Sequence, residues 1–334
     1  GLALIFGGLE VVWGGVTAGT LIAFLTFTRH FFEPIEQLAH WFAEMQMGQA
    51  SAERINSLIE AKSAVADSSD VVERMKETHA DGIALDGLPD SIARIEFRNV
   101  SFSYDLGPRV LDDVSLAIER GENVAIVGST GGGKTSLVSL LCRFYEPTEG
   151  QILIDDVDYK DRSLHWLQSN LGIVLQSSHI FGGSIADNIR YGRLDATAKE
   201  LMDAARRSGA HEFIINMEAG YETPVGEGGS KLSAGEKQLI SFARAILADP
   251  KILVMDEATS SVDTVTEQRI QKGLTELLQG RISVVIAHRL STIRNADRIL
   301  VVEQGRIVES GNHNQLLHHQ GRYFKLYKQQ SLSE

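Results

Sequence analysis

The segment Gly128–Thr135 constrains this sequence more than any other feature. It reads Gly-Ser-Thr-Gly-Gly-Gly-Lys-Thr, which fits the spacing G-x-x-x-x-G-K-(S/T). The apolar run 124–127 precedes it and a helical pattern over 136–144 follows it. In such a strand–loop–helix unit the glycines let backbone N–H groups approach phosphate oxygens, while Lys134 adds a positive charge and Thr135 offers a hydroxyl to Mg²⁺. The sequence therefore predicts a phosphate-binding loop, in preference to a merely flexible one, made of Gly128, Ser129, Thr130, Gly131, Gly132, Gly133, Lys134 and Thr135.

Short β-branched runs alternate with helical stretches over residues 91–330, which is typical of an α/β fold. One of these runs, 252–255, is wholly apolar and ends at Asp256 and Glu257. Ligands bind at the carboxyl ends of strands in open α/β sheets. We therefore expect Asp256 to complete the shell of a metal ion and Glu257 to polarise an attacking water. The alternative is an ordinary solvated strand end. The predicted strands are 92–100, 114–118, 123–127, 152–154, 172–175, 252–255, 283–286 and 298–302.

The amino-terminal region has the composition of a membrane segment. Between Gly1 and Thr28 the only ionisable residue is Glu10, and the uncharged run 11–28 is long enough to suggest a membrane span. Trp13, followed by two glycines, predicts an interfacial turn. We expect residues 1–60 to form the end of a transmembrane domain, with the tail of one helix over 1–9. A second helix would start near residue 18 and continue as an amphipathic helix to about residue 60. The alternative is a buried helical hairpin of a soluble protein.

Several further features set limits on the chain. It begins inside an apolar run without Met, so we expect it to be a fragment of a longer protein. Residues 61–90 lose the apolar periodicity and accumulate Asp, Glu, Ser, Lys and Gly, which predicts a linker before a domain at 91–330. The net charge of −12 argues against nucleic acid as a partner, and the hydrophobic fraction of 43% excludes a disordered chain. The single cysteine, Cys142, cannot form an internal disulfide and lies in an apolar pattern typical of core packing.

With these motifs the sequence resembles the nucleotide-binding domain of ABC transporters, and more closely the exporter type, in which membrane and ATPase parts share one polypeptide. The resemblance runs from residue 1 to about residue 330, with the motifs in the family's order. The segment Leu232–Gln238, Leu-Ser-Ala-Gly-Glu-Lys-Gln, looks like the family's signature sequence. Four single residues also match: Tyr104 the adenine-stacking aromatic, Gln176 the Q-loop glutamine, Asp263 the D-loop aspartate and His288 the switch histidine.

The resemblance implies a P-loop NTPase of ABC type. It would have a RecA-like α/β core, an antiparallel β subdomain and an α-helical signature subdomain at about 177–247, preceded by the last transmembrane helix or helices. ATP and Mg²⁺ are the implied cofactors. The implied catalytic residues are Glu257, His288 and Gln176, and the implied metal ligands are Thr135, Gln176 and Asp256. The implied nucleotide-binding residues, besides the phosphate loop, are Tyr104, Ser233, Gly235 and Asp263.

The implied function is ATP binding and hydrolysis that drive export of a substrate across a membrane. The implied partners are a second half-transporter chain, identical or different, and membrane lipid. The implied location is the inner or plasma membrane, crossed several times, with the ATPase domain in the cytoplasm. Two alternatives remain open: a soluble ABC-type mechanical ATPase of DNA repair or translation, and a regulatory nucleotide-binding module without turnover.

The signature departs from the family's usual pattern at two positions. Ala234 stands where Gly is usual, and Glu236 stands where Gln is usual. The first adds a methyl group and the second a negative charge close to a site that receives phosphate. These departures raise the possibility of a heterodimer in which one of two composite sites has drifted.

Overall fold

The computed structural model describes residues 2–61, 63–80, 91–105, 107–175, 179–256, 264–287 and 289–330. The chain divides into two compact units, Gly1–Ala64 and Val65–Glu334.

The first unit is a pair of helices. Helix α1 spans Leu2–Val12 and helix α2 spans Ala18–Glu60, with Thr17 as the N-cap of α2. A Cβ atom added at Gly7 would lie only 2.3 Å from Cδ1 of Leu21, so the glycine lets α1 and α2 pack closely. The sequence predicted both the turn after Trp13 and the long helix, and both are confirmed.

The large apolar side chains of this unit are mostly exposed, as at Phe6, Phe24 and Trp41. The turn at 13–17 divides the uncharged run 11–28 between the two helices. Within the described parts of the chain, no helix is both long and apolar enough to cross a membrane.

A six-stranded sheet forms the centre of the second unit. Its strand order is β10-β9-β3-β8-β7-β6, and all neighbours are parallel except β9 and β10. Alternation of side chains sends Val124 and Ile126 to one face of β3 and Ala125 and Val127 to the other, where they join two separate hydrophobic clusters. Burial on both faces explains why these strands are continuous apolar runs. The strands are β3 Asn123–Val127, β6 Leu171–Val174, β7 Ile252–Asp256, β8 Ile282–Ile286, β9 Arg298–Glu303 and β10 Arg306–Gly311.

A second, antiparallel sheet has the strand order β2-β1-β4-β5. Its strands are β1 Arg94–Ser103, β2 Arg109–Glu119, β4 Glu149–Ile154 and β5 Val157–Asp158. One hydrophobic cluster fills the space between this sheet and the large one and includes Phe97, Ile118 and Leu140. The predicted combination of a RecA-like core and an antiparallel β subdomain is confirmed.

Helices cover the remaining faces of the second unit. Four of them, α6 to α9, lie between β6 and β7 in the chain, where the signature subdomain was expected. Helices α6 and α7 pack on α9, and α8 packs on α7. The helices are α3 Ser69–Ala80, α4 Lys134–Leu141, α5 Leu164–Ser169, α6 Ile185–Arg190, α7 Ala198–Ser208, α8 His211–Ile215, α9 Ala234–Ala248, α10 Thr264–Leu278, α11 Leu290–Arg294, α12 His313–His319 and α13 Arg322–Gln330.

The stretch 61–90, expected to be a linker, contains helix α3. The second unit already begins at Val65, and Val71 on α3 is only 3% exposed. The apolar residues of α3 are too few to show a helical periodicity in the sequence. In the structure, Val71 is nevertheless buried against the rest of the second unit. Residues 81–90 lie outside the described part.

Candidate nucleotide-binding site

The candidate site lies at one edge of the large sheet. Strands β3, β8, β7 and β6 are consecutive and parallel, so their carboxyl ends lie side by side. The phosphate loop follows β3, and Asp256 is the last residue of β7. Gln176, Glu257 and His288 follow the ends of β6, β7 and β8 within two residues in the sequence. These three residues and Asp263 are outside the described part of the chain, so their roles stay predictions.

The conformation of the phosphate loop requires glycine. Gly128 has φ of 151°, and a Cβ atom there would lie 2.0 Å from the carbonyl oxygen of Val302. Gly133 has φ of 106°, and a Cβ atom there would lie 2.9 Å from Cδ2 of Leu111. Both positions combine a left-handed backbone with a close neighbour, so any larger residue would displace the loop. The sequence predicted this glycine cradle, and the geometry fits close approach by phosphate.

Helix α4 presents its N-terminus at the end of the loop. Gly133 is its N-cap and supplies no side-chain hydrogen bond, so the first-turn N–H groups remain available to an anion. Lys134 folds back over the loop, where Nζ donates to the carbonyl oxygens of Gly128 at 3.0 Å and Ser129 at 2.8 Å. Partial burial lowers the pKa of Lys134, and the negative charge of Asp256 opposes that shift. The ammonium group of Lys134 thus lies at the loop, bonded to neutral carbonyl oxygens that a charged phosphate can replace.

The residues expected to hold Mg²⁺ fit that ion chemically. Thr135 lies in the first turn of α4 with an exposed side chain, and Asp256 is half-buried at the end of β7. A hydroxyl and a carboxylate are hard oxygen donors, and Mg²⁺ is usually bound by one or two carboxylates together with phosphate oxygens of the substrate. Asp256 also interacts electrostatically with Lys134, so the carboxylate lies within range of the phosphate loop.

Tyr104 lies just beyond the end of β1 and beside α4. Its hydroxyl is 3.0 Å from Oγ of Ser136, and its ring packs edge to face with Phe102 at 4.7 Å and Tyr145 at 5.0 Å between centroids. The residue is 37% exposed. These contacts fix the ring next to the phosphate-loop helix while part of it remains accessible, as stacking on a flat base requires.

The signature residues form the start of α9. Ser233 is the N-cap: its Oγ accepts from the N–H of Glu236 at 3.3 Å and donates to Oε2 of Glu236 at 2.9 Å. The same carboxylate oxygen accepts from the N–H of Ser233 at 2.8 Å. Gly235 is buried in the first turn. The unusual Glu236 therefore completes a capping box and engages the hydroxyl that the family pattern assigns to phosphate binding.

Gly305, which was not predicted from the sequence, supports the backbone of the phosphate loop. Gln304 and Gly305 have φ of 48° and 78° and form the tight turn between β9 and β10. The Gly305 N–H donates to the carbonyl oxygen of Gly132 at 3.0 Å, and its own carbonyl accepts from the N–H of Asp112 at 3.0 Å. The signal was a glycine between the apolar run 299–302 and the pair Ile307 and Val308, because two strand-like runs separated by a short turn with glycine indicate a hairpin.

A phosphate loop after β3, an acid at the end of β7 and a capped signature helix together define an ATPase domain of the ABC class. The chain belongs to the ABC transporter family, and residues 111–260 match the family described as ABC transporter. The interpretation of the sequence as exporter-type is confirmed by its relatives.

The similarity to known proteins covers nearly the whole chain. An ATP-dependent lipid A-core flippase of Syntrophus aciditrophicus is 46% identical over 98% of this chain and 52% of its own length. A fatty acid ABC transporter ATP-binding/permease protein of Mycobacterium bovis is 47% identical over 96% of this chain and 48% of its own. The solved structure of a bacterial Atm1-family ABC exporter with ATP bound matches with a TM-score of 0.74 and 37% identity, over 95% of this chain and 53% of that one. The chain thus spans about half the length of these relatives.

Proposed function

We propose that this chain is the ATP-binding and ATP-hydrolysing part of an ABC exporter half-transporter. The observation that carries the proposal is the position of Lys134, folded onto a glycine cradle beside the charge of Asp256. The names of the relatives, all ATP-binding, flippase or permease proteins, support the same assignment. The soluble mechanical ATPase has no such support.

In this proposal each residue has a limited task. Lys134 and the free N–H groups of α4 bind the β- and γ-phosphates, and Tyr104 stacks on the adenine. Mg²⁺, held by Thr135, Gln176 and Asp256, neutralises phosphate charge. Glu257 accepts a proton from the attacking water, and His288 donates a hydrogen bond to the γ-phosphate. Positioning and charge stabilisation account for most of the catalysis in phosphoryl transfer, so few residues suffice.

The proposal also covers the location of the protein, its partner chain and the class of its substrate. We infer a membrane location with the ATPase domain on the cytoplasmic side, and a composite site in which Ser233, Gly235 and Asp263 serve the nucleotide of a second half-transporter chain. The names of the two relatives given above refer to lipid A-core in one case and to fatty acid in the other. An amphiphilic substrate is therefore the class we propose.

Binding of ATP tests the core of the proposal. The chain is titrated with ATP and Mg²⁺ by calorimetry, alongside Lys134→Ala and the exposed control Lys199→Ala. We expect Lys134→Ala to weaken binding about 10- to 100-fold, because hydrogen bonds to charged groups contribute about 1.5–3 kcal/mol. Lys199→Ala should match the parent. Equal affinity of all three would overturn the assignment of the loop.

Partitioning tests the membrane part separately. The intact chain is mixed with liposomes and separated by flotation. Retention with the lipid after a high-salt wash supports the exporter, because charge-driven surface binding is screened by salt. Recovery of a folded, ATP-binding chain entirely in the aqueous fraction would favour the soluble alternative.

A further inference from the structure

Arg143 is a buried cation directly behind the phosphate-loop helix. It follows Cys142, the C-cap of α4, and has a left-handed backbone with φ of 52°. Its side chain is 1% exposed. The guanidinium donates to the carbonyl oxygens of Tyr159 at 3.1 Å and Arg162 at 2.9 Å, and to Oε1 of Glu146 at 3.1 Å. A non-glycine residue keeps such a backbone only where its contacts over-determine it.

The same guanidinium reaches the segment that follows the first unit in the chain. We call residues 65–76 the strap. Nη2 of Arg143 donates to the carbonyl oxygen of Ala66 at 3.4 Å, and Nη1 lies 3.7 Å from Oδ1 of Asp67. That carboxylate oxygen also accepts from the N–H of Leu164 at 2.9 Å. Arg74 adds a hydrogen bond of 2.7 Å to the carbonyl oxygen of Asp161.

The strap is therefore fixed to the rest of the second unit by the backbone carbonyl of Ala66 and by the charged side chains of Asp67 and Arg74. In the sequence it begins shortly after Glu60, where α2 ends. A change in the contacts that hold the strap therefore affects the segment that follows the long helix α2 in the chain.

Arg143 is linked through intervening residues to the groups expected to bind both ends of the nucleotide. Toward the phosphates, α4 is a two-turn helix fixed by the buried side chains of Leu137 and Leu140. Toward the base, the guanidinium carbon lies 5.5 Å from the ring centroid of Tyr159, whose hydroxyl donates to the carbonyl oxygen of Tyr145 at 3.3 Å. Tyr145 in turn packs on the ring of Tyr104.

We propose that Arg143 is a positioning residue that couples occupancy of the nucleotide site to the hold on the strap. Nucleotide bound at the start of α4 and at Tyr104 restricts the motion of the helix and of Tyr145. The clamp of Arg143 on Ala66 and Asp67 then opens less often, so the strap becomes better protected from solvent. A ligand that rigidifies one end of a packed element lowers the frequency of local opening at the other. This inference rests on the proposed function of the site.

Hydrogen exchange of the full chain, with and without ATP and Mg²⁺, tests the coupling. The variants are Arg143→Gln and Asp67→Asn, which keeps an oxygen acceptor for the N–H of Leu164 but removes the charge. Arg281→Gln is the matched control. Arg281 is also buried, donates to two carbonyl oxygens, of Pro250 and Leu277, and pairs with Asp249, in a part of the unit where no described contact joins it to the strap.

In the parent and in Arg281→Gln, we expect ATP to slow exchange of the strap by at least about threefold. In Arg143→Gln and Asp67→Asn this response should fall below about 1.5-fold while ATP affinity stays within about threefold of the parent. Asp67→Asn keeps the test decisive if Arg143→Gln does not fold. Normal ATP binding without a response in the parent, or a full response in a folded clamp variant, would overturn the coupling alone. Failure of the parent to bind ATP would instead overturn the proposed function on which the coupling rests.

Discussion

The backbone N–H of Gly305 donates a 3.0 Å hydrogen bond to the carbonyl oxygen of Gly132. A hairpin turn near the end of the domain is thus joined directly to the phosphate loop and supports its backbone. The turn can do this because glycine has no side chain: a Cβ atom at Gly305 would lie 2.3 Å from the carbonyl oxygen of Val110.

Gly305→Ala should therefore weaken ATP binding as well as stability. We expect a loss of about 2–4 kcal/mol in the free energy of unfolding, from the left-handed φ and the overlap, and an ATP affinity lowered about tenfold. Urea unfolding and calorimetric titration measure the two effects. The control is Gly280→Ala, which has φ of 73° but nothing within 4 Å of an added Cβ. It should lose only about 1–2 kcal/mol and keep its ATP affinity. Equal ATP affinities in both variants would contradict a supporting role for Gly305.

Glu236→Gln tests the unusual charge in the signature. The amide oxygen still accepts from Ser233, so the cap persists, and the helix loses only the favourable charge at its N-terminus, about 0.3–1 kcal/mol. In the assembled transporter we expect the KM for ATP to fall about two- to fivefold, because a carboxylate near the expected phosphate position is removed. The difference should shrink at high salt.

Glu200→Gln is the matched control for that experiment. Glu200 completes the same capping box with Thr197 at the start of α7, with hydrogen bonds of 2.8 and 2.7 Å. It should lower stability by a similar amount without changing the KM. An unchanged KM in Glu236→Gln would mean that its charge does not act on the nucleotide.

Glu257→Gln separates binding from turnover. The substitution preserves shape and removes the base, so ATP should bind as in the parent while hydrolysis falls about 10²- to 10⁴-fold. Steady-state phosphate release measures the rate, and calorimetry measures the affinity. A fall of less than about tenfold would rule out Glu257 as the principal base. Lys134→Ala provides the opposite pattern, since it should lose binding first.

Mixed dimers test whether the signature acts in trans. Ser233→Glu places a carboxylate at the signature while leaving Lys134 and Glu257 intact. This chain is then combined with a Lys134→Ala chain. If the signature acts in trans, the mixed dimer has one site with both defects and one with neither, so partial ATPase activity should return. A cis arrangement damages every site. Complete inactivity of verified mixed dimers would contradict the trans site if each variant paired with an unmutated chain remains active. If the natural partner is a different polypeptide, the same mixing is done in that heterodimer.

His313 should make stability depend on pH. Burial lowers its pKa, and the positive charge of Arg294 lowers it further. Its Nδ1 lies 2.7 Å from the hydroxyl of Tyr323, and its ring also packs against Tyr327. Because the folded state disfavours protonation, the unfolded state binds more protons below about pH 6.5, and stability falls as the pH is lowered from about 7 to 5. Urea unfolding of His313→Gln should show a smaller fall than the parent or the exposed control His319→Gln. Equal falls would exclude the contribution.

The sequence predicted most of what burial and local pattern determine. The apolar runs of β3, β7 and β8 fall within a residue of their observed bounds, because a strand covered on both faces needs continuous apolar residues. Helix α2 was predicted to start near residue 18 from its apolar run and to continue as an amphipathic helix to about residue 60, and these are its observed ends. Cys142 was expected in the core and is fully buried, with burial raising its pKa to about 12.

Features that depend on long-range contact were not predictable in the same way. The strap was expected to be a linker because its few apolar residues, such as Val71, mean little until the surface that covers them is known. Arg143 looks like an ordinary surface charge in the sequence, yet most of its partners come from two distant segments, 66–67 and 159–162. The hold of Gly305 on Gly132 likewise depends on the pairing of β9 with β3. Pattern within a window carries no information about such partners.

The order of strands in the large sheet bears on synthesis of the protein. The strand that leads into the phosphate loop, β3, pairs only with β8 and β9 among the described strands, through Val124 with Val284 and Arg298. Both partners lie near the carboxyl end of the chain, so a ribosome must translate almost the whole domain before β3 gains either neighbour. Non-local pairing of this kind is slow and leaves apolar strands uncovered in the meantime. A nascent chain stopped before residue 282 would therefore carry the intact loop sequence without an ATP site, and would be a substrate for chaperones.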